Sequence, residues 1–175
     1  MSRRPHALPS LFTLALATAM TLPASAGAAT ARAALAPTAG NTATGTLTLE
    51  SSDNGVRLEG RVEGLSPGAQ HGFHVHETGD CSAPDASSAG AHFNPGGHAH
   101  AGPDAPARHL GDLGNLQADD QGVATVALTI DAATLGDGGP NDVLRRSLIV
   151  HAAPDDLVTQ PTGNAGARIA CAVIE

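Results

Sequence analysis

Along much of the chain, apolar and polar residues alternate with the two-residue period of a β-strand. The alternation predicts strands over residues 44–50 (TGTLTLE), 56–63 (VRLEGRVE), 71–77, 123–130, 148–152 and 167–174. Residues 31–36 add an Ala-rich candidate, weaker because alanine packs poorly on a pleated surface. Ser51-Ser52-Asp53-Asn54-Gly55 reads as a hairpin connection ending in Asn-Gly, and Ser66-Pro67-Gly68 as a turn before the next strand. No long stretch carries a helical stripe. Short strands separated by glycine-rich turns predict an all-β fold, an antiparallel barrel or sandwich.

Two regions refuse the pattern. Residues 78–113 and 152–166 hold few large apolar side chains and much Gly, Pro, Ala and Asp. Loops of this length in one domain are usually functional, or ordered by something other than an apolar core. A third irregular region opens the chain. Arg3 and Arg4, an apolar run over 11–22 and the small-residue stretch Ala24-Ser25-Ala26 read as a signal peptide over residues 1–26. Cleavage near 26–28 leaves one domain over 27–175, and the apolar run is too short to span a bilayer. The expected location is outside the cytoplasm, and the arginine pair leaves the general secretory and twin-arginine routes both open.

Composition narrows the chemistry. Trp, Tyr and Lys are absent and only three Phe occur, so the core must be built from Val, Leu, Ile and Ala. A formal charge of -8 argues against nucleic acid or an anionic membrane as partner. Export favours joining Cys81 to Cys171, with two unrelated buried thiols as the alternative. The unusual number is nine histidines.

His74 and His76 stand two apart, which on a strand points both imidazoles to one face and sends Phe73 and Val75 to the other. Alone, such a pair fits a solvated strand face equally well. His92, His98, His100, His109 and Asp112 follow inside the first loop, a segment that ligation could order where burial cannot. Imidazoles with a single carboxylate suit copper and zinc, not calcium or magnesium. His151, at the edge of the apolar SLIVHA, becomes a ligand candidate only beside these others.

The stretches HGFHVHETGDC (71–81), GAHFNPGGHAHAGP (90–103), RHLGDLGN (108–115), LIVHAAPDDL (148–157) and TGNAGARIAC (162–171) resemble copper/zinc superoxide dismutase, in that family's order and nearly its spacing. The resemblance runs from about residue 31 to the C-terminus. It implies an eight-stranded Greek-key β-barrel, sandwich-like, with two long functional loops. It implies one copper per chain on His74, His76, His92 and His151, and one zinc on His92, His100, His109 and Asp112, with His92 bridging both. Arg168 matches the cavity arginine that meets the superoxide anion, and Asp155 the aspartate that links a copper histidine to a zinc histidine. His71 matches a structural, hydrogen-bonding histidine, and Cys81 with Cys171 the intrasubunit disulfide. The long stretch between Cys81 and His92 resembles the bacterial branch, which fits a periplasmic or extracellular protein without stable membrane association. Other features depart from the family. His98 could compete with His100 for zinc, and the loop after His151 is short and lacks the family's guiding lysine. The chain stops soon after its last predicted strand, so a homodimer is left open. A copper-only dismutase, a non-catalytic metal-binding domain and a metal-buffering interaction module are the alternatives.

Overall fold

A computed structural model describes Met1 and residues 27–175; the predicted signal peptide lies outside the described residues, apart from Met1. Eight strands run β1 (Thr30–Pro37), β2 (Thr44–Ser52), β3 (Gly55–Glu63), β4 (Gln70–His76), β5 (Asp112–Gln117), β6 (Ala124–Asp131), β7 (Ser147–His151) and β8 (Arg168–Val173). All neighbours pair antiparallel, in the spatial order β5-β4-β7-β8-β1-β2-β3-β6. The two ends of that order, β5 and β6, also approach each other, so the sheet curls into a nearly closed barrel. Closure shields the exposed edges that an open sheet of this size would leave.

The alternating burial of β2 and β3 sends Leu47, Leu49, Val56, Leu58 and Val62 into the interior. They meet Phe73, Val75, Ile130, Leu148 and Val150 in one apolar cluster. The hairpin between β2 and β3 closes on Asp53-Asn54, with Ser52 paired to Gly55. The Ala-rich segment is a strand as well. Ala31, Ala33 and Leu35 are buried in β1, which joins β8 to β2, so small side chains suffice where both edges are paired.

Alternation did not predict β5. Its sequence DLGNLQ buries consecutive residues, and Asp112 at its start is buried although charged. What makes it a strand is pairing with β4, with a register shift between Gly72 and His74. Where both flanks of a strand are occupied, a period of two no longer marks it.

The two long loops are held by devices other than a core. Cys81 and Cys171 form a disulfide, with Ala86, Ala89 and Ile149 packed around Cys171. The loop after β7 is ordered by carboxylates. Asp156 accepts from the backbone N–H groups of Val158 and Thr159, the Thr159 hydroxyl and the Asn164 amide. Among the described residues, no helix is long and apolar enough to cross a membrane.

Candidate metal centre

His74 and His76 leave the same face of β4, while Phe73 and Val75 enter the apolar core. Residues 91–93 run alongside β4: Glu77 donates its N–H to Ala91 O, and Phe93 donates to Val75 O. His92 is thereby laid against His76. Gly111 closes the other side, donating to Phe93 O and accepting from Val75 N. A β-carbon at residue 111 would sit 2.2 Å from the Val75 carbonyl oxygen, so only glycine allows this approach. Arg146 stacks over the Phe93 ring at 4.4 Å and fixes the segment from outside. β7 brings His151 to the same group of imidazoles.

Two clusters result. His74, His76, His92 and His151 form one; His92, His100, His109 and Asp112 form the other; within each, one ligand atom per residue lies within 4.8 Å of all the rest. All seven residues are buried. His92 belongs to both. The hydrogen bonds decide which nitrogen each imidazole turns inward. His76 Nδ1 donates to Gly90 O at 2.9 Å, and His151 Nδ1 to Gly166 O at 3.2 Å. His74 Nε2 donates to Asp155 Oδ2 at 2.8 Å. In the first cluster, the atoms left without a partner are His74 Nδ1 and the Nε2 atoms of His76, His92 and His151. Buried polar atoms without partners are rare, and four in one cluster are what a bound cation would satisfy. In the second cluster the Nδ1 atoms of His92, His100 and His109 lie 2.8, 3.0 and 3.2 Å from Asp112 Oδ1. Three imidazoles and one carboxylate closing on one point are a donor set that fits zinc.

Burial lowers His74, His76, His109 and His151, which favours the neutral state a cation needs. It pushes His76 down to about 2 and His151 down to about 3, and the nearby Arg168 charge adds to both effects. Asp112 is lowered as well, against its own burial. Burial would raise it, but the hydrogen bonds from His92 and from the Ala101 N–H hold it at about 2. A consequence concerns the metal-depleted protein. The unfolded chain takes up protons at His76 and His151 near pH 6.5, and the folded chain refuses them. Stability is therefore full above about pH 7 and falls as the solution is acidified, by about 2 kcal/mol per histidine at pH 5. Thermal melts of chelator-stripped protein from pH 7.5 to 5 check this, and a melting temperature that held or rose would contradict it.

Asp155 is the hinge between the clusters. Its Oδ2 accepts from His74, and its Oδ1 accepts from His100 Nε2 at 3.0 Å and from Leu157 N–H at 2.7 Å. Asn115 on β5 fixes the aspartate's backbone by donating to its carbonyl and accepting from its N–H. Gly163 lies over the bridge at φ 63°, where a β-carbon would fall 1.8 Å from Asp155 Oδ1. Arg168, at the start of β8, donates to Ala86 O and Gly90 O, both at 2.6 Å. Gly90 thus anchors Arg168 and His76 together. His71 donates from Nδ1 to His151 O at 2.8 Å and joins neither cluster. His98 is exposed, lies outside both clusters, and lines a surface cavity with Pro106, Arg108 and Leu110.

Sequence reasoning did not single out Asn115 or the carbonyls of Ala86, Gly90 and Gly166. Asn115 sits inside the quoted RHLGDLGN stretch, so a signal was there; the carbonyls carry none, because any residue supplies one.

Fold and centre together define an all-β barrel carrying two joined histidine clusters that could each hold a metal ion. The family model for copper/zinc superoxide dismutase matches residues 43–174, and the chain belongs to that family. Among solved structures, a superoxide dismutase-like protein from Bacillus subtilis is 34% identical, with a TM-score of 0.73 over 81% of this chain and 95% of that one. A double mutant of a superoxide dismutase-like protein from the same organism is 36% identical, with a TM-score of 0.73 over 81% of this chain and 94% of that one. The clock protein EA4 is 35% identical, with a TM-score of 0.75 over 88% of this chain and 98% of that one.

Proposed function

We propose that the protein converts two superoxide anions and two protons into dioxygen and hydrogen peroxide. In this reading His74, His76, His92 and His151 hold copper, His92, His100, His109 and Asp112 hold zinc, and each chain carries one of each. The observation that carries it is the shared histidine, with its Nε2 in one cluster and its Nδ1 in the other. Bound copper supplies one-electron redox chemistry that no side chain here can, and zinc supplies a fixed charge without redox. The side chains do the rest. His92 holds or releases a proton at Nε2 while Nδ1 stays engaged in the second cluster. The hydrogen bonds from His76 and His151 to backbone carbonyls keep their Nε2 atoms free of protons. Arg168, half-buried and held by two carbonyls, presents a permanent cation with planar donors to a small anion.

The protein is proposed to be exported, with residues 1–26 removed and residues 27–175 acting in a periplasm or outside the cell. The disulfide fits an oxidising compartment. Superoxide is the proposed partner, with no nucleic acid and no stable membrane association.

Superoxide decay after pulse radiolysis, on copper- and zinc-loaded protein with a strong chelator present, tests the activity. A chelator-resistant rate of about 10⁸–10⁹ M⁻¹s⁻¹ is expected, near the diffusional ceiling that superoxide dismutases reach. A rate that vanishes with chelator leaves a metal-binding domain without catalysis. Arg168 makes a second prediction. R168A is expected to lower the rate about 10-fold or more, with R168K recovering part of it. Added salt should slow the wild type and slow R168A less, because charges beyond about 8 Å are screened and the local cation dominates. A wild-type rate that rises with salt would show that the negative charge of the whole molecule governs encounter instead.

A further inference from the structure

The backbone of His100 has no strand to pair with. It lies in the irregular stretch between Gly97 and Arg108, and its residue is only 2% exposed. A buried N–H and C=O must find partners. Both find the same one. Gln160, on the loop after β7, accepts from His100 N–H through Oε1 at 2.8 Å and donates from Nε2 to His100 O at 2.7 Å. One carboxamide thus plays the part of a neighbouring strand for a single residue. It also donates to Val158 O at 3.2 Å, which ties it to its own loop.

We propose that Gln160 is a positioning residue for the second cluster, fixing the main chain of His100 so that Nδ1 meets the metal that His92, His109 and Asp112 share. The proposal rests on the zinc reading of that cluster. Three restraints converge on this short segment. Asp155 holds the His100 ring through Nε2, Gln160 holds its backbone, and Asp112 Oδ2 accepts from the next N–H, that of Ala101, at 3.2 Å. Asp155 alone leaves the imidazole free to swing about the Nε2 contact as the backbone shifts. The Gln160 clamp removes that freedom. No second backbone partner for His100 exists among the described residues. Because Asp155 and Gln160 both belong to the loop after β7, the order of that loop and the placement of His100 are coupled.

Zinc affinity of metal-depleted full-length protein, measured by competition with a chromophoric chelator, tests this. It is paired with the visible spectrum of the cobalt-substituted second cluster, which reads coordination geometry and not fold stability. Q160A is expected to bind zinc about 10-fold more weakly, toward the lower end of what outer partners of a metal ligand contribute, and to shift the cobalt bands. Q160E keeps the length and the acceptor but turns a carboxylate oxygen toward the His100 carbonyl. It is expected to fall between Q160A and wild type, and it carries the test if Q160A does not fold. Wild-type affinity and an unchanged cobalt spectrum in both variants would overturn the proposal, even with a lowered melting temperature. Failure of the wild-type protein to take up one zinc at this cluster would instead overturn the zinc reading on which it rests.

Discussion

A D155N variant is expected to lose about 10–100-fold in affinity for the metal of the first cluster, and less for that of the second. The asymmetry comes from the hydrogen bonds. Oδ1 of Asp155 accepts from both His100 Nε2 and Leu157 N–H, and Oδ2 from His74 Nε2. Asparagine keeps one acceptor, and two donors compete for it on the Oδ1 side. Its amide NH₂ then faces His74. To accept from it, His74 must give up the proton on Nε2 and carry one on Nδ1, the atom that points into the first cluster. A proton there excludes a cation. D155A removes both contacts and should weaken both clusters. Separate copper and zinc competition titrations measure each arm. Equal losses in D155N, or none, would show that these hydrogen bonds do not set the tautomers.

Removing the disulfide is expected to have the largest effect on stability. Cys81 and Cys171 are 90 residues apart, so the bond closes a long loop in the unfolded chain. In the chain-entropy account this stabilises by about 3–5 kcal/mol. A C81S/C171S variant should therefore melt about 6–20 °C lower. The loss is not evenly spread. The Cys81 side of the loop contains Ala86 and Gly90, whose carbonyls hold Arg168 and His76. The variant should thus lose turnover at temperatures where it remains folded, while a purely global effect would leave the folded fraction fully active. Activity compared with circular dichroism across the melt separates the two.

Much of this protein was legible in its sequence because strand formation is local. Each of the predicted strands lies within the barrel, and even the Ala-rich segment is β1. The strand the pattern missed, β5, begins with a charged residue buried for reasons its own segment does not contain. The histidine inventory was equally legible. Resemblance to the family pointed to the two sets that the structure brings together, and it left His98 as a rival that the structure places outside both.

The sequence by itself determined an all-β chain, its two loops without a core, and a surplus of imidazoles that no apolar packing could explain. Tertiary structure decided which nitrogen each imidazole turns inward, that Asp155 spans both clusters, and that Gln160 pairs with His100. The physical reason is range. Alternation is read between neighbours, whereas His74 meets Asp155 across 81 residues and His100 meets Gln160 across 60. A tautomer is set by whichever acceptor the folded chain brings to the other nitrogen, and only the folded barrel supplies it.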